Sequence, residues 1–139
     1  VAQQPRILVV DDDFDILEMT RTVLAGAGYR VTAVGSGREA LRSVREHGFD
    51  LVLLDINMPE MDGWETLRLM AFDEETVTPP VVMFSVNSEV RNKVQGMQEG
   101  AVDYITKPFA VDDLLARVRR VLEAEGPAGE KRPAALPTT

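Results

Sequence analysis

Five short apolar runs alternate along this chain with five longer stretches in which apolar residues recur every three or four positions. Arg6–Val10 (RILVV), Tyr29–Val34, Leu51–Leu54, Val81–Ser85 and Val102–Thr106 are too brief for helices. Their continuous rather than alternating hydrophobicity suits strands covered on both faces. After the first strand, Ile16, Thr20, Val23, Leu24 and Ala27 share one helical face, and Gly28 supplies a stop. Ser36 and Glu39 form an S-x-x-E capping box before a helix with Ala40, Leu41 and Val44 inward, ended by Gly48. A loop over Ile56–Gly63 leads into a third helix carrying Trp64, Leu67, Met70 and Ala71.

Ser88–Glu99 predicts a fourth helix, stopped by Gly100. Val111–Glu125 predicts a fifth, with Val111, Leu114, Leu115, Val118, Val121 and Leu122 inward. Asp112 and Asp113 sit at its positive end, and Arg117, Arg119 and Arg120 nearer its negative end, as the helix dipole prefers. Strand and helix in strict alternation predict an α/β fold, (βα)5, with a parallel sheet and right-handed crossovers. The expected architecture is the flavodoxin-like doubly wound five-stranded sheet of order 2-1-3-4-5.

Length and composition narrow this picture. The 139 residues suffice for one domain, and 45% hydrophobic with 27% charged residues is an ordinary globular mixture. Residues 1–125 read as that domain. Residues 126–139, with prolines at 127, 133 and 137, read as a flexible tail or truncated interdomain linker. Val1 in place of Met suggests a processed start or an excised fragment. A net charge of −8 and a pI near 4.6 repel nucleic-acid phosphates, so no direct nucleic acid contact is expected of this domain. Without cysteine there are no disulfides or thiolate metal sites, which suits a cytoplasmic location. No apolar run approaches the roughly 20 residues that cross a bilayer, and no secretory signal is visible.

The chemistry lies at the strand ends. Asp11, Asp12 and Asp13 follow the first strand, Asp55 closes the third, Ser85 the fourth, and Lys107 follows the fifth. In an open parallel sheet these positions share one edge, where ligands bind at the switch point. Like charges about 4 Å apart repel by about 4 kcal/mol at an effective dielectric near 20. The site must therefore protonate a carboxyl or hold a cation. Oxygen-only ligands point to a hard cation such as Mg2+. Mg2+ beside a lysine makes a phosphoryl receptor, and a carboxylate at its centre can act as nucleophile.

VVDDD at 9–13, LLDINMPEMDGWE at 53–65, FSVNS at 84–88 and YITKPF at 104–109 resemble the signature blocks of bacterial response-regulator receiver domains over about residues 5–125. The resemblance implies a phosphorylation-dependent signalling switch with Asp55 as phosphoacceptor and Asp12 as a Mg2+ (or Mn2+) ligand. It implies that Asp11 acts on the metal through water and that Asn57 offers its backbone carbonyl. Ser85 would bond the phosphoryl group, Lys107 would face it, Tyr104 would be the aromatic switch, and Lys107–Pro108 would be cis. The implied partners are a histidine kinase or phosphotransfer protein and a second copy docked through the fourth helix, fifth strand and fifth helix. The tail and the YITKPF block resemble receivers that carry a winged-helix output domain, and a stand-alone receiver with a frayed tail fits the same residues. Val86 stands where the family has a small residue and is expected to narrow access. Asn57 and Asn87 occupy the positions that tune acyl-phosphate lifetime.

Blander roles are expected elsewhere. Asp13 reads as a helix cap and His47 as exposed or capping. Met58, Met61, Met70 and Met97 read as packing residues, and Trp64 as packing its helix onto the sheet. Two other functions compete: a haloacid-dehalogenase-like phosphatase built on Asp11 and Asp13, and a phosphorylation-independent binding module. The first wants Thr or Val where this chain has Asp15, and the second usually lacks part of the acidic set.

Overall fold

The structure, a computed structural model, describes residues 4–86 and 90–125, side chains at 90–93 and 125 excepted. The chain runs β1 (Arg6–Val10), α1 (Phe14–Gly26), β2 (Arg30–Val34), α2 (Gly37–Glu46), β3 (Leu51–Asp55), α3 (Gly63–Phe72), β4 (Val81–Ser85), α4 (Val90–Gln98), β5 (Asp103–Thr106) and α5 (Val111–Glu125). The strands form one parallel sheet in the order β2-β1-β3-β4-β5, as the alternation predicts.

Successive strand residues point to opposite faces, and both faces are covered. Leu8, Val10, Val52, Leu54, Val81, Met83 and Tyr104 pack with Ala40 and Val44 of α2 and Leu67 and Met70 of α3. Ile7, Val9, Leu51, Leu53, Val82, Phe84 and Ile105 pack with Leu17 and Leu24 of α1 and Leu114, Val118 and Val121 of α5. Odd and even positions must therefore both be apolar, which is why β1, β3 and β4 read as unbroken runs. β2 departs from that reading. It lies at the edge, exposes Arg30 and Thr32, and begins one residue later than the expected Tyr29.

Side-chain caps start α1, α2 and α3. Asp13 accepts from the Asp15 and Ile16 N–H groups at 3.0 and 3.2 Å, which bears out its reading as a cap. Ser36 Oγ accepts from the Glu39 N–H at 3.1 Å and donates to Glu39 Oε2, also at 3.1 Å. Asp62 caps α3 by accepting from the Glu65 N–H at 2.9 Å, a cap the sequence reading passed over.

Several expected facings are corrected. α1 buries Leu17 rather than Ala27, because the helix ends at Gly26 and leaves Ala27 as an exposed cap. α3 buries Thr66 where Ala71 was expected. Val111 opens α5 at 45% exposure, a turn short of the packed Leu114. Met58 and Met70 are buried, Met61 is half-buried, and Met97 is 56% exposed, so Met97 is no packing residue within this chain. α5 spans Val111–Glu125 as expected, with its arginines mid-helix and none in the last turn. Arg117 pairs with Asp113 and Asp103 at 3.0 and 2.8 Å instead of serving the helix end. α4 ends at Gln98, one residue before the expected Glu99, and the expected start at Ser88, like Asn87, lies outside the described residues. His47 is exposed at the end of α2. No helix among the described residues is long and apolar enough to cross a membrane.

One buried group is unsatisfied. Thr20 is fully buried on α1, and its Oγ1 has no hydrogen-bond partner among the described residues. Leaving a buried hydroxyl unpaired costs about 1 kcal/mol or more. The nearly isosteric Thr20→Val should therefore hold or raise stability by about 1 kcal/mol in urea denaturation. A clear loss of stability would mean that the hydroxyl is paired in the folded protein.

Candidate functional site

Sheet register assembles the site. Val10 pairs with Leu54, so Asp11 extends β1 alongside Asp55. Asp55 pairs with Phe84 and Ser85 with Thr106. The Lys107 N–H donates to the Ser85 carbonyl at 2.7 Å. All the expected strand-end residues thus reach one edge of the sheet.

Lys107 reaches back across that edge. Its Nζ donates to Asp11 Oδ2 at 2.6 Å and to Asp55 Oδ1 at 3.3 Å, and it lies 4.8 Å from the centre of the Phe84 ring. The three charged groups are buried, with Asp11 at 1%, Asp55 at 4% and Lys107 at 8% exposure. One ammonium cannot neutralise two carboxylates in so dry a place. Burial, then repulsion from Asp11, push the Asp55 carboxyl up to about 7, against the pull of Lys107. Exposed Asp12 adds a smaller repulsion.

One oxygen each from Asp11, Asp12 and Asp55 lies within 4.8 Å of the others. Hard oxygen donors with surplus negative charge fit a hard divalent cation. Asp13, by contrast, is committed to capping α1, and its own N–H donates to Asp11 Oδ1 at 2.9 Å. That leaves it poorly placed as the acid/base partner a phosphatase would need.

The loop from β3 to α3 is pinned to the same edge. The Gly63 and Met58 N–H groups both donate to the Ile56 carbonyl, at 2.8 and 3.2 Å. Glycine at 63 follows from a close approach: a Cβ there would lie 2.4 Å from the Asp55 carbonyl oxygen and 2.7 Å from Ile56 Cα. Sequence reading missed this constraint, although the Asp62-Gly63 pair at a helix start was its visible trace. It named Asn57 for its backbone carbonyl and as a position that tunes acyl-phosphate lifetime, but not as a partner of Ser85. The Asn57 side chain donates from Nδ2 to Ser85 Oγ at 3.2 Å.

Ser85 is fully buried and Tyr104 is 7% exposed within the layer that holds α2 and α3. The Lys107–Pro108 peptide is cis. Val86, just beyond Ser85, is 66% exposed.

A family model, the response regulator receiver domain, matches residues 7–119. The transcriptional regulatory protein PrrA of Mycobacterium tuberculosis is 42% identical over 123 residues, 88% of this chain and 52% of PrrA. The chain therefore spans about half the length of that curated relative. The receiver domain of the Francisella response regulator 1452 superposes with a TM-score of 0.82 at 31% identity, covering 88% of this chain and all of that one. The receiver domain of the Pseudomonas aeruginosa sensor histidine kinase PA1611, described with a magnesium ion coordinated in its active-site cleft, gives 0.79 at 28% identity, covering 87% of this chain and 99% of that one. This chain belongs to the response regulator receiver family, whose members act as phosphorylation-dependent signalling switches; neither competing function gains support from these matches.

The raised Asp55 carboxyl fixes how stability responds to pH. Below about 3.8 the group is protonated in both the folded and the unfolded chain, and it costs nothing. From there to about 7 the unfolded chain ionises while the folded one resists, so stability falls as pH rises and then levels off. In chelator-treated protein, Asp55→Asn should be more stable than wild type near pH 8, and the gap should close toward pH 4. A gap that does not change with pH would contradict this origin of the strain.

Proposed function

We propose that Asp55 is the phosphoacceptor of this receiver domain and that the buried Lys107 bridge to Asp11 and Asp55 is the observation that carries the reading. An Asp55 oxygen attacks phosphorus while the bond from phosphorus to the donor's histidine nitrogen breaks. The bonding pair leaves on that nitrogen, which takes up a proton, and an aspartyl phosphate remains. Attack needs the ionised carboxylate, which the site disfavours without added positive charge. Asp12, Asp55 and the Asn57 carbonyl would hold a Mg2+ ion (or Mn2+), with Asp11 acting through water, and that ion would supply neutralising charge when bound. Lys107 already lies on the acceptor carboxylate, and its ammonium pairs with the incoming phosphoryl oxygens.

The phosphoryl group adds close to two negative charges. The Ser85 hydroxyl is the side-chain donor at the end of the neighbouring β4. Its turn toward the new oxygens would free space for Tyr104 to move further inward and alter the surface of α4, β5 and α5. Such a population shift is worth about 1–3 kcal/mol. A histidine kinase or phosphotransfer protein is the proposed donor. A second copy docked on the α4–β5–α5 surface, or a DNA-binding output domain, is the proposed reader, the latter supported by relatives that are transcriptional regulators.

Incubation with Mg2+ and a small phosphodonor should add one phosphoryl mass, labile to hydroxylamine, to wild type and none to Asp55→Asn. Stoichiometric labelling of that variant would overturn the assignment.

A further inference from the structure

We infer that the Asn57 side-chain amide is a positioning residue that holds the Ser85 hydroxyl oriented for the phosphoryl group. This inference rests on the acceptor role proposed for Asp55. A hydroxyl carries one hydrogen and two acceptor positions. Asn57 Nδ2 occupies one acceptor position of Ser85 Oγ at 3.2 Å, which turns the hydroxyl hydrogen away from the Asn57 side. Asn57 follows Asp55 by two residues, and Ser85 follows the Phe84 that pairs with Asp55 in the sheet. The bond therefore ties the acceptor's own loop to the end of the neighbouring strand.

Two features make this tie more than a surface contact. Ser85 is fully buried, so the oxygen that Asn57 serves has left bulk water. The loop that carries Asn57 is held by the Met58 and Gly63 N–H groups on the Ile56 carbonyl and cannot relax freely when the amide is lost. A donor on the hydroxyl oxygen also polarises it and strengthens the bond its hydrogen gives. The Asn57 amide would thus serve the phosphorylated state through Ser85, separately from its backbone carbonyl at the metal.

The test measures the affinity of Mg2+-loaded protein for beryllofluoride, a phosphoryl mimic, in wild type, Asn57→Ala, Ser85→Ala and the double variant. Asn57→Ala should bind about fivefold more weakly, the equivalent of one net hydrogen bond. The double variant should bind no more weakly than Ser85→Ala alone. In addition, the Asn57 side-chain amide signals in 15N NMR should shift on Ser85→Ala. Wild-type or tighter beryllofluoride binding by Asn57→Ala would overturn the inference. So would a loss that persists undiminished in the Ser85→Ala background. If wild type binds beryllofluoride but Asp55 takes no phosphoryl group, the acceptor reading itself falls.

Discussion

Lys107 Nζ sits between two buried carboxylates, and its charge satisfies only one of them. Removing ionised groups from water costs several kcal/mol each unless partners restore the loss. Here the restoration is partial by construction. Asp11 has the closer ammonium contact and also accepts the Asp13 N–H, whereas Asp55 has the longer ammonium contact. The deficit falls on Asp55, whose carboxyl is pushed upward by burial first and by Asp11 second. A site with unmet negative charge invites a cation, and a cation beside an ammonium invites a phosphoryl group. On the proposed function, affinity for both would follow from an electrostatic strain built into the folded chain.

The rest of the fold holds that strain in place. Apolar residues on both faces of β1 and β3 bury their termini and fix Asp11 beside Asp55 through the Val10–Leu54 pairing. The core on the α1 and α5 side contributes Phe84, whose ring lies under the ammonium. Gly63 lets the first turn of α3 rest on the Asp55 backbone, where a methyl group would collide with the carbonyl oxygen. A loop so anchored keeps the Asn57 side chain on Ser85 without the entropy cost of ordering a free loop. The next residue, Trp64, lies against α4 at Gly96, where a Cβ would meet its ring at 3.4 Å.

Much of this was legible in the sequence, for a physical reason. A parallel sheet covered on both faces demands continuous apolar runs, and five such runs with helical periodicity between them leave few topologies. Ligand positions at strand ends then follow from the sheet edge. Less legible were features that depend on neighbours distant in the chain. The exposure of Arg30 and Thr32 follows from the edge position of β2, and the alternation of Arg30–Val34 was its only local trace. Helix facings shifted at Leu17 and Val111, because a periodic pattern does not say where the first turn leaves the core. The Asn57–Ser85 bond spans 28 residues and the Lys107–Asp11 bond 96. Residue type told that these groups meet at the crevice, and only packing told which atoms they share.

On the proposed function, switching would follow from relieving the strain at one point. A phosphoryl group on Asp55 would replace a buried, reluctant carboxylate with acceptor oxygens that could recruit Lys107 and the Ser85 hydroxyl, and Tyr104 lies in the adjoining layer. The most direct test of the account is the titration of the Asp55 carboxyl carbon by 13C NMR, with and without saturating Mg2+. The account predicts a midpoint near 7 in metal-free protein, falling by several pH units when Mg2+ is bound. An ordinary carboxylate midpoint in the metal-free protein, unmoved by Mg2+, would contradict it.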